Sequence, residues 1–346
     1  MVGLARRAGL TLGALGTILA FAATPAPVAA GEADAPRDFR STQALVEAPL
    51  FLSMAEIDAA FSRLDAERVG ANKPVPGFMS YWESSGVGYG QGERAGRIGS
   101  GASATQMRIG LDRETRPGLI IGAMASAGFG GVGSGDLGAR AYGRHVDFYA
   151  KFNEGRVFAK ALVGASQFGF GAIERGEAGD QCQAAASSVV ARASGQIGAS
   201  TKIAGITITP MLTASALGDR LSGYSERGGS GAASFGARSA VAAIGAARLS
   251  GSRSFRLDSK RKLKVEAFVG GEGVMGFSSS KLKASVGGER VDAIAMGGSP
   301  TGRGLVGGLG VGTSLMEGVT VQVNYDYGRR DGVSTRATRG RLGVSF

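Results

Sequence analysis

His145 and Asp147 stand two residues apart, and residues i and i+2 of a β-strand point to the same side. The chain's single histidine therefore shares a strand face with a carboxylate, and Ser166, on the next strand, is the nearest hydroxyl that might serve as a nucleophile. Hydrolysis needs that hydroxyl beside its base. Spacing alone does not bring Ser166 to His145, so the pair reads first as polar side chains lining an interior. A lone histidine also excludes a His-cluster metal site. Glu174, Glu177 and Asp180 form an acidic loop next to Cys182, with the oxygen chemistry calcium takes, but they read as a solvated loop. Gly128-Phe129-Gly130-Gly131-Val132-Gly133 fits G-x-G-x-x-G, yet residues 134–138 break helices, and a dinucleotide site requires a helix there. No catalytic, cofactor-binding or metal residue is assigned, and the chain reads as non-enzymatic.

The elements that would carry these residues begin after an export signal. Arg6 and Arg7 precede an apolar run at 10–23, and Val28-Ala29-Ala30 supplies small residues for cleavage between Ala30 and Gly31. That run is short for a spanning helix, which needs about 20 residues. Cys182 has no partner for an internal disulfide. The net charge of +11 falls to +9 without the two signal arginines. In an exported chain this balance points away from nucleic acid, toward outer-membrane lipid and lipopolysaccharide or simply toward solvated loops. Glycine is 60 of 346 residues, well over twice its usual share of about 7%, while the hydrophobic share of 43% argues for an ordered chain. No segment after the signal is long and apolar enough for a transmembrane helix. A closed barrel is the other way to satisfy backbone groups in lipid.

Along the chain, residues 31–52 read as a flexible lead-in broken by Pro36 and Pro49. One short α-helix follows within 53–76, where Ser53 and Glu56 suggest a capping box. Met54, Ile57, Phe61 and Leu64 fall on one face of it, and Gly70 and Pro74 end it. From residue 77 the period changes to two. Val146, Phe148, Ala150 and Phe152 alternate with His145, Asp147, Tyr149 and Lys151; Leu342, Val344 and Phe346 alternate with Arg341, Gly343 and Ser345. Gly304, Gly308, Gly310 and Gly312 share an inward face and make room in an interior. Tyr81, Trp82, Tyr325 and Tyr327 are candidates for interfacial aromatic girdles.

The pattern predicts an all-β fold: a twelve-stranded antiparallel transmembrane β-barrel over 77–346. Connections at 89–100, 129–138, 171–186, 218–235, 277–302 and 329–335 are expected to be long. Those at 112–117, 153–155, 200–204 and 315–317 are expected to be short, and 249–261 breaks the rule. Long loops on one side and short turns on the other are what an outer-membrane barrel shows.

Residues 75–346 resemble the β-domain of autotransporters. A helix precedes Tyr81-Trp82 and Gly86-Val87-Gly88-Tyr89-Gly90. Residues 217–229, LGDRLSGYSERGG, look like the family's segment after the seventh strand; 302–313 resemble its glycine-rich tenth strand. Leu342, Val344 and terminal Phe346 match the signal read by the barrel assembly machinery. Arg341 departs from that signal, which often has glycine there, and the paired asparagines of self-cleaving members are absent, Asn72 standing alone. The resemblance implies a luminal helix and export of an N-terminal passenger, for which residues 31–76 leave little length. The expected function is thus a monomeric outer-membrane translocator displaying a short segment, or a passenger-less remnant. The alternatives are a passive pore or structural barrel, and a lipid-modifying enzyme using His145.

Overall fold

The computed structural model describes residues 39–65, 78–93, 98–257, 261–294, 302–316 and 318–345. The cleavage pair Ala30 and Gly31, and the terminal Phe346, lie outside them. Helix α1 (Ala44–Asp65) follows a 3-10 turn at Arg40–Gln43. The strands are β1 (Phe78–Gln91), β2 (Ser100–Arg116), β3 (Leu119–Ser134), β4 (Leu137–Glu154), β5 (Val157–Arg175), β6 (Cys182–Ala199), β7 (Thr201–Ile203) and β8 (Ile206–Leu221). They continue with β9 (Tyr224–Ser225), β10 (Ala233–Phe235), β11 (Arg238–Arg256), β12 (Lys262–Ser279), β13 (Leu282–Val286), β14 (Glu289–Ile294), β15 (Arg303–Met316), β16 (Val319–Arg330) and β17 (Val333–Ser345).

Twelve long strands pair antiparallel with their sequence neighbours, and β1 pairs with β17 as well as β2, which closes the barrel. The alternation reaches the surface as expected. Val146, Phe148 and Phe152 are exposed on the outer face, while His145, Asp147 and Tyr149 are buried inside. Trp82, Tyr325 and Tyr327 also face out. Tyr81 does not. It is 1% exposed and points inward, one residue out of phase with Trp82, so it is no girdle residue.

β7 continues β6 after a break at Ser200, in the same register against β8. Pro210 of β8 lies in that stretch, paired with Leu249 on its other side. Proline has no N–H to donate, which explains an interrupted ladder in a strand flanked on both sides.

Connections sort by end, though not as lengths alone suggested. At one end they are turns around Gly118, Gly155, Gly205 and Gly318, with positive φ at each glycine. β11 and β12 are also joined at this end, because β11 runs on to Arg256; the exception at 249–261 is mostly strand, its outward row interrupted by Gly251 and Arg253 between Leu249 and Phe255. The opposite end carries 92–99, 176–181, 222–237 and 280–302, the last two holding a small sheet in the order β14-β13-β10-β9. Two connections expected to be long at this end are tight. β3 and β4 run on to a turn at Gly135-Asp136, and β16 and β17 to one at Asp331-Gly332. Glycines 128–133, which look like strand breakers, are paired on both sides within β3. No helix follows them, so the dinucleotide reading ends there.

Helix α1 begins at Ala44, before the expected start, and Pro49 lies inside it. Ser53 and Glu56 are therefore mid-helix and cap nothing; both are fully buried. A proline in a helix costs roughly 3 kcal/mol. Burying Leu45, Val46, Leu50 and Leu52 offsets it at about 1.5–3 kcal/mol each. The helix is buried on its polar sides too, including Glu47, Glu56 and Arg63. Ile57, Phe61 and Leu64 are buried and Met54 half-buried. The helix accepts hydrogen bonds from inward-facing side chains of β2, β3, β5, β11, β16 and β17.

Candidate functional site: the charged lumen around the helix

A helix surrounded by strand faces must find partners for every polar group it carries there. At the C-terminal end of α1, Lys160 of β5 donates to Asp65 at 2.6 Å and to the Phe61 carbonyl at 3.3 Å. Lys151 of β4 donates to the Leu64 carbonyl at 2.8 Å. Cations at the last turn satisfy free carbonyls and suit the helix dipole. In the same last turn, Arg63 pairs with Asp112 of β2 at 2.7 Å and lies 5.0 Å from the Tyr81 ring centre.

The mid-helix carboxylate is the hub. Glu56 accepts two hydrogen bonds from Arg108 of β2, at 2.8 and 2.9 Å, and one from Ser126 of β3 at 3.1 Å. Arg108 also donates to Glu83 at 2.7 Å and Ser85 at 2.8 Å, both on β1. Glu83 is shared in turn with Arg341 of β17, whose guanidinium reaches the Ala59 carbonyl at 3.2 Å. On the other side, Asp58 pairs with Arg248 of β11 at 3.0 Å. The helix thus ties strands from opposite walls.

Beneath this network, two tyrosines need glycines. A methyl group on Gly110 would fall inside the Tyr81 ring, and one on Gly122 against Tyr149. The two phenols meet at 3.4 Å. The glycine face of β15 follows the same logic: Asp326 and Phe268 occupy the space a side chain on Gly308 would need, and Asn324 that of Gly310.

The N-terminal end of α1 points to the end with the larger connections. Phe39 packs edge-on against Phe235 of β10 at 5.3 Å, and Arg175 lies 5.0 Å from the centre of its ring. Arg175 is itself fixed by Glu226 at 2.6 and 2.9 Å. Arg238 donates to the Thr42 hydroxyl and carbonyl at 3.1 and 3.2 Å.

His145 and Ser166 do meet: their Nδ1 and Oγ are 2.7 Å apart, as the register pairs them directly. The carboxylate is elsewhere. Asp147 accepts two bonds at 2.7 Å from Arg192 of β6, which also donates to Ser166. Ser53 of the helix covers the same hydroxyl. Asp147 therefore does not orient the ring; the carboxylate nearest it is Glu56, 3.9 Å from Nε2 and beyond hydrogen-bond distance, and the serine is buried under α1. Among the described residues, Asp180 belongs to no group of three or more His, Cys, Asp or Glu that could hold a metal ion, and its carboxylate accepts from the N–H and O–H of Ser230. Leu342 and Val344 lie on the outer face, paired with Trp82 and Ser80 of β1.

Residues 82–326 match the family described as Autotransporter beta-domain. The chain belongs to that family. An autotransporter barrel spans the outer membrane, so the chain is an outer-membrane translocator barrel. Its fold is similar to the translocator domain of the autotransporter NalP from Neisseria meningitidis, with a TM-score of 0.70 at 14% identity over 89% of this chain and 99% of that one. It is also similar to the β-domain of the Bordetella autotransporter BrkA, with a TM-score of 0.57 at 18% identity over 79% of this chain and 100% of that one. No curated protein matches the chain by sequence. Against the autotransporter fold, the end with short turns is the periplasmic one and the end with the small sheet is external.

Sequence reasoning missed Glu56, Arg108 and Arg341 as a connected set. Their inward phase was readable from the period of two, but the pairing joins residues far apart in sequence, and nothing local announces it.

Proposed function

We propose that this autotransporter barrel carries the segment N-terminal to Phe39 to the cell surface and is then held closed by α1. One observation carries the reading: the polarity of the helix. Phe39 is seated against β10 at the external end, and Asp65 is tied to Lys151 and Lys160 at the periplasmic end. A chain threaded that way leaves its N-terminal side outside. Cleavage between Ala30 and Gly31, recognition of Leu342, Val344 and Phe346 by the barrel assembly machinery, and a monomeric, non-enzymatic barrel complete the proposal. The pairing of Asp147 with Arg192 supports a structural role for His145 and Ser166.

An epitope inserted just before Phe39 in the full chain tests this on intact cells. Antibody access without permeabilisation is expected. Access only after the outer membrane is broken would overturn the proposal.

A further inference from the structure

Three arginines descend diagonally across the outer face at the external end of β15–β17. Arg303, Arg329 and Arg336 are all exposed. Leu305 is the cross-strand partner of Arg329, and Arg303 stands two residues from Leu305 on the same face. Tyr327 is the partner of Arg336, two residues below Arg329. Arg329 is thus the diagonal neighbour of both, and such neighbours lie about 7–8 Å apart.

Like charges at this spacing repel unless something between them is negative. None of the three arginines forms an ion pair among the described residues, whereas the inward arginines of the same strands are paired: Arg330 with Glu272 and Arg339 with Asp326. Asp331, at the nearby turn, has its carboxylate turned to the Arg303 backbone N–H at 3.1 Å. Leu305 and Tyr327 stand level with Arg329 and Arg336, and below them Tyr325, Leu309 and Val323 continue an apolar, aromatic outer face exposed toward lipid. Beside Arg336, β1 presents only Gly86, Gly88 and Gly90 outward, with Gly88 directly opposite Arg336. No side chain there obstructs a ligand lying across the strands.

Cations above an aromatic belt at the external rim face the level where outer-leaflet lipid carries its phosphates. Guanidinium groups bind phosphate through paired, charge-assisted hydrogen bonds. We propose that Arg303, Arg329 and Arg336 form a binding site for one lipopolysaccharide molecule, holding the phosphates of its lipid A while its acyl chains lie over Tyr327, Tyr325 and Leu309. The proposal rests on the outer-membrane reading of the barrel and adds a specific site to it.

The test uses the full-length protein in detergent, titrated with lipid A carrying both phosphates and read by native mass spectrometry. One lipid A per barrel is expected to be retained. Replacing all three arginines with glutamine is expected to weaken retention about tenfold or more, since the charge-assisted bonds are lost. Lysine at all three positions should keep most of the binding. Glutamine at Arg140 and Arg144, exposed on the outer face of β4, should leave it unchanged. Dephosphorylated lipid A should bind the unaltered barrel as weakly as lipid A binds the glutamine variant. Unchanged retention by that variant, or equal retention of dephosphorylated lipid A or phosphatidylglycerol, would overturn the site. Heat-modifiable gel migration confirms that each variant is folded; if the triple variant is not, Arg329→Gln alone is read for a partial loss. Failure of the outer-membrane reading would show separately, as fractionation of the protein away from that membrane.

Discussion

Arg108 grips Glu56 with two parallel hydrogen bonds, Nε to one carboxylate oxygen at 2.8 Å and Nη2 to the other at 2.9 Å. The pair joins the helix to the wall, and both side chains are almost fully buried. Whether such a pair adds net stability depends on what replaces it. Removing one partner of a buried pair costs about 3–5 kcal/mol, because the other charge is stranded.

Arg108→Leu is therefore expected to be the worse of the two single variants. It leaves the Glu56 carboxylate with the Ser126 hydroxyl in place of a guanidinium, while Glu83 keeps Arg341; Glu56→Leu leaves Arg108 its contact with Glu83. The double variant Glu56→Leu, Arg108→Leu should recover part of the loss relative to Arg108→Leu. Unfolding temperature by heat-modifiable migration measures all three. A double variant as unstable as the sum of the singles would show that the two residues act independently.

The second prediction concerns Gly110. Its inward face is occupied by the ring of Tyr81, which also faces Arg63 at 5.0 Å and Arg341 at 5.8 Å. Gly110→Ala forces that ring away, and overpacking of this kind typically costs about 1–3 kcal/mol. The folded fraction should fall or form more slowly. Adding Tyr81→Ala should relieve the clash, so that Gly110→Ala costs less in that background than alone. An equal cost in both backgrounds would show that the ring is not what the glycine accommodates.

Much of this fold is legible in the sequence. Alternation over His145–Phe152 put the right residues on each side of the wall, because a face packed on lipid and a face packed on a polar lumen impose opposite chemistry on neighbouring residues. Two of the departures share a cause. Pro49 and glycines 128–133 look like breakers by local propensity, and both lie inside regular elements held by tertiary contacts. Tyr81 was misplaced because its type suits a membrane interface, although its phase in the strand, opposite to Trp82, was already visible. The lumen network could not be read at all. Its members come from α1, β1, β2 and β17, and strand order in a closed barrel brings first and last together only after the count is known.

The third prediction uses an external loop. Asp180 is exposed, and its carboxylate accepts hydrogen bonds from the Ser230 hydroxyl and backbone N–H, the latter at 2.6 Å. Those two bonds, the hydroxyl first, hold its pKa below the ordinary aspartate value. A depressed carboxylate stabilises the folded arrangement above its unfolded pKa, and that contribution disappears as pH falls through the folded one. The clamp between 176–181 and the segment after β9 should thus be complete at neutral pH. It should begin to weaken only below the usual aspartate titration, near about pH 4. Hydrogen exchange at the Ser230 amide, corrected for its intrinsic pH dependence, should show constant protection from pH 8 to about 5 and a decline below about 4. Asp180→Asn should lower protection at neutral pH and flatten the profile. A Ser230 amide whose protection is the same in both proteins at pH 7 would dismiss the clamp.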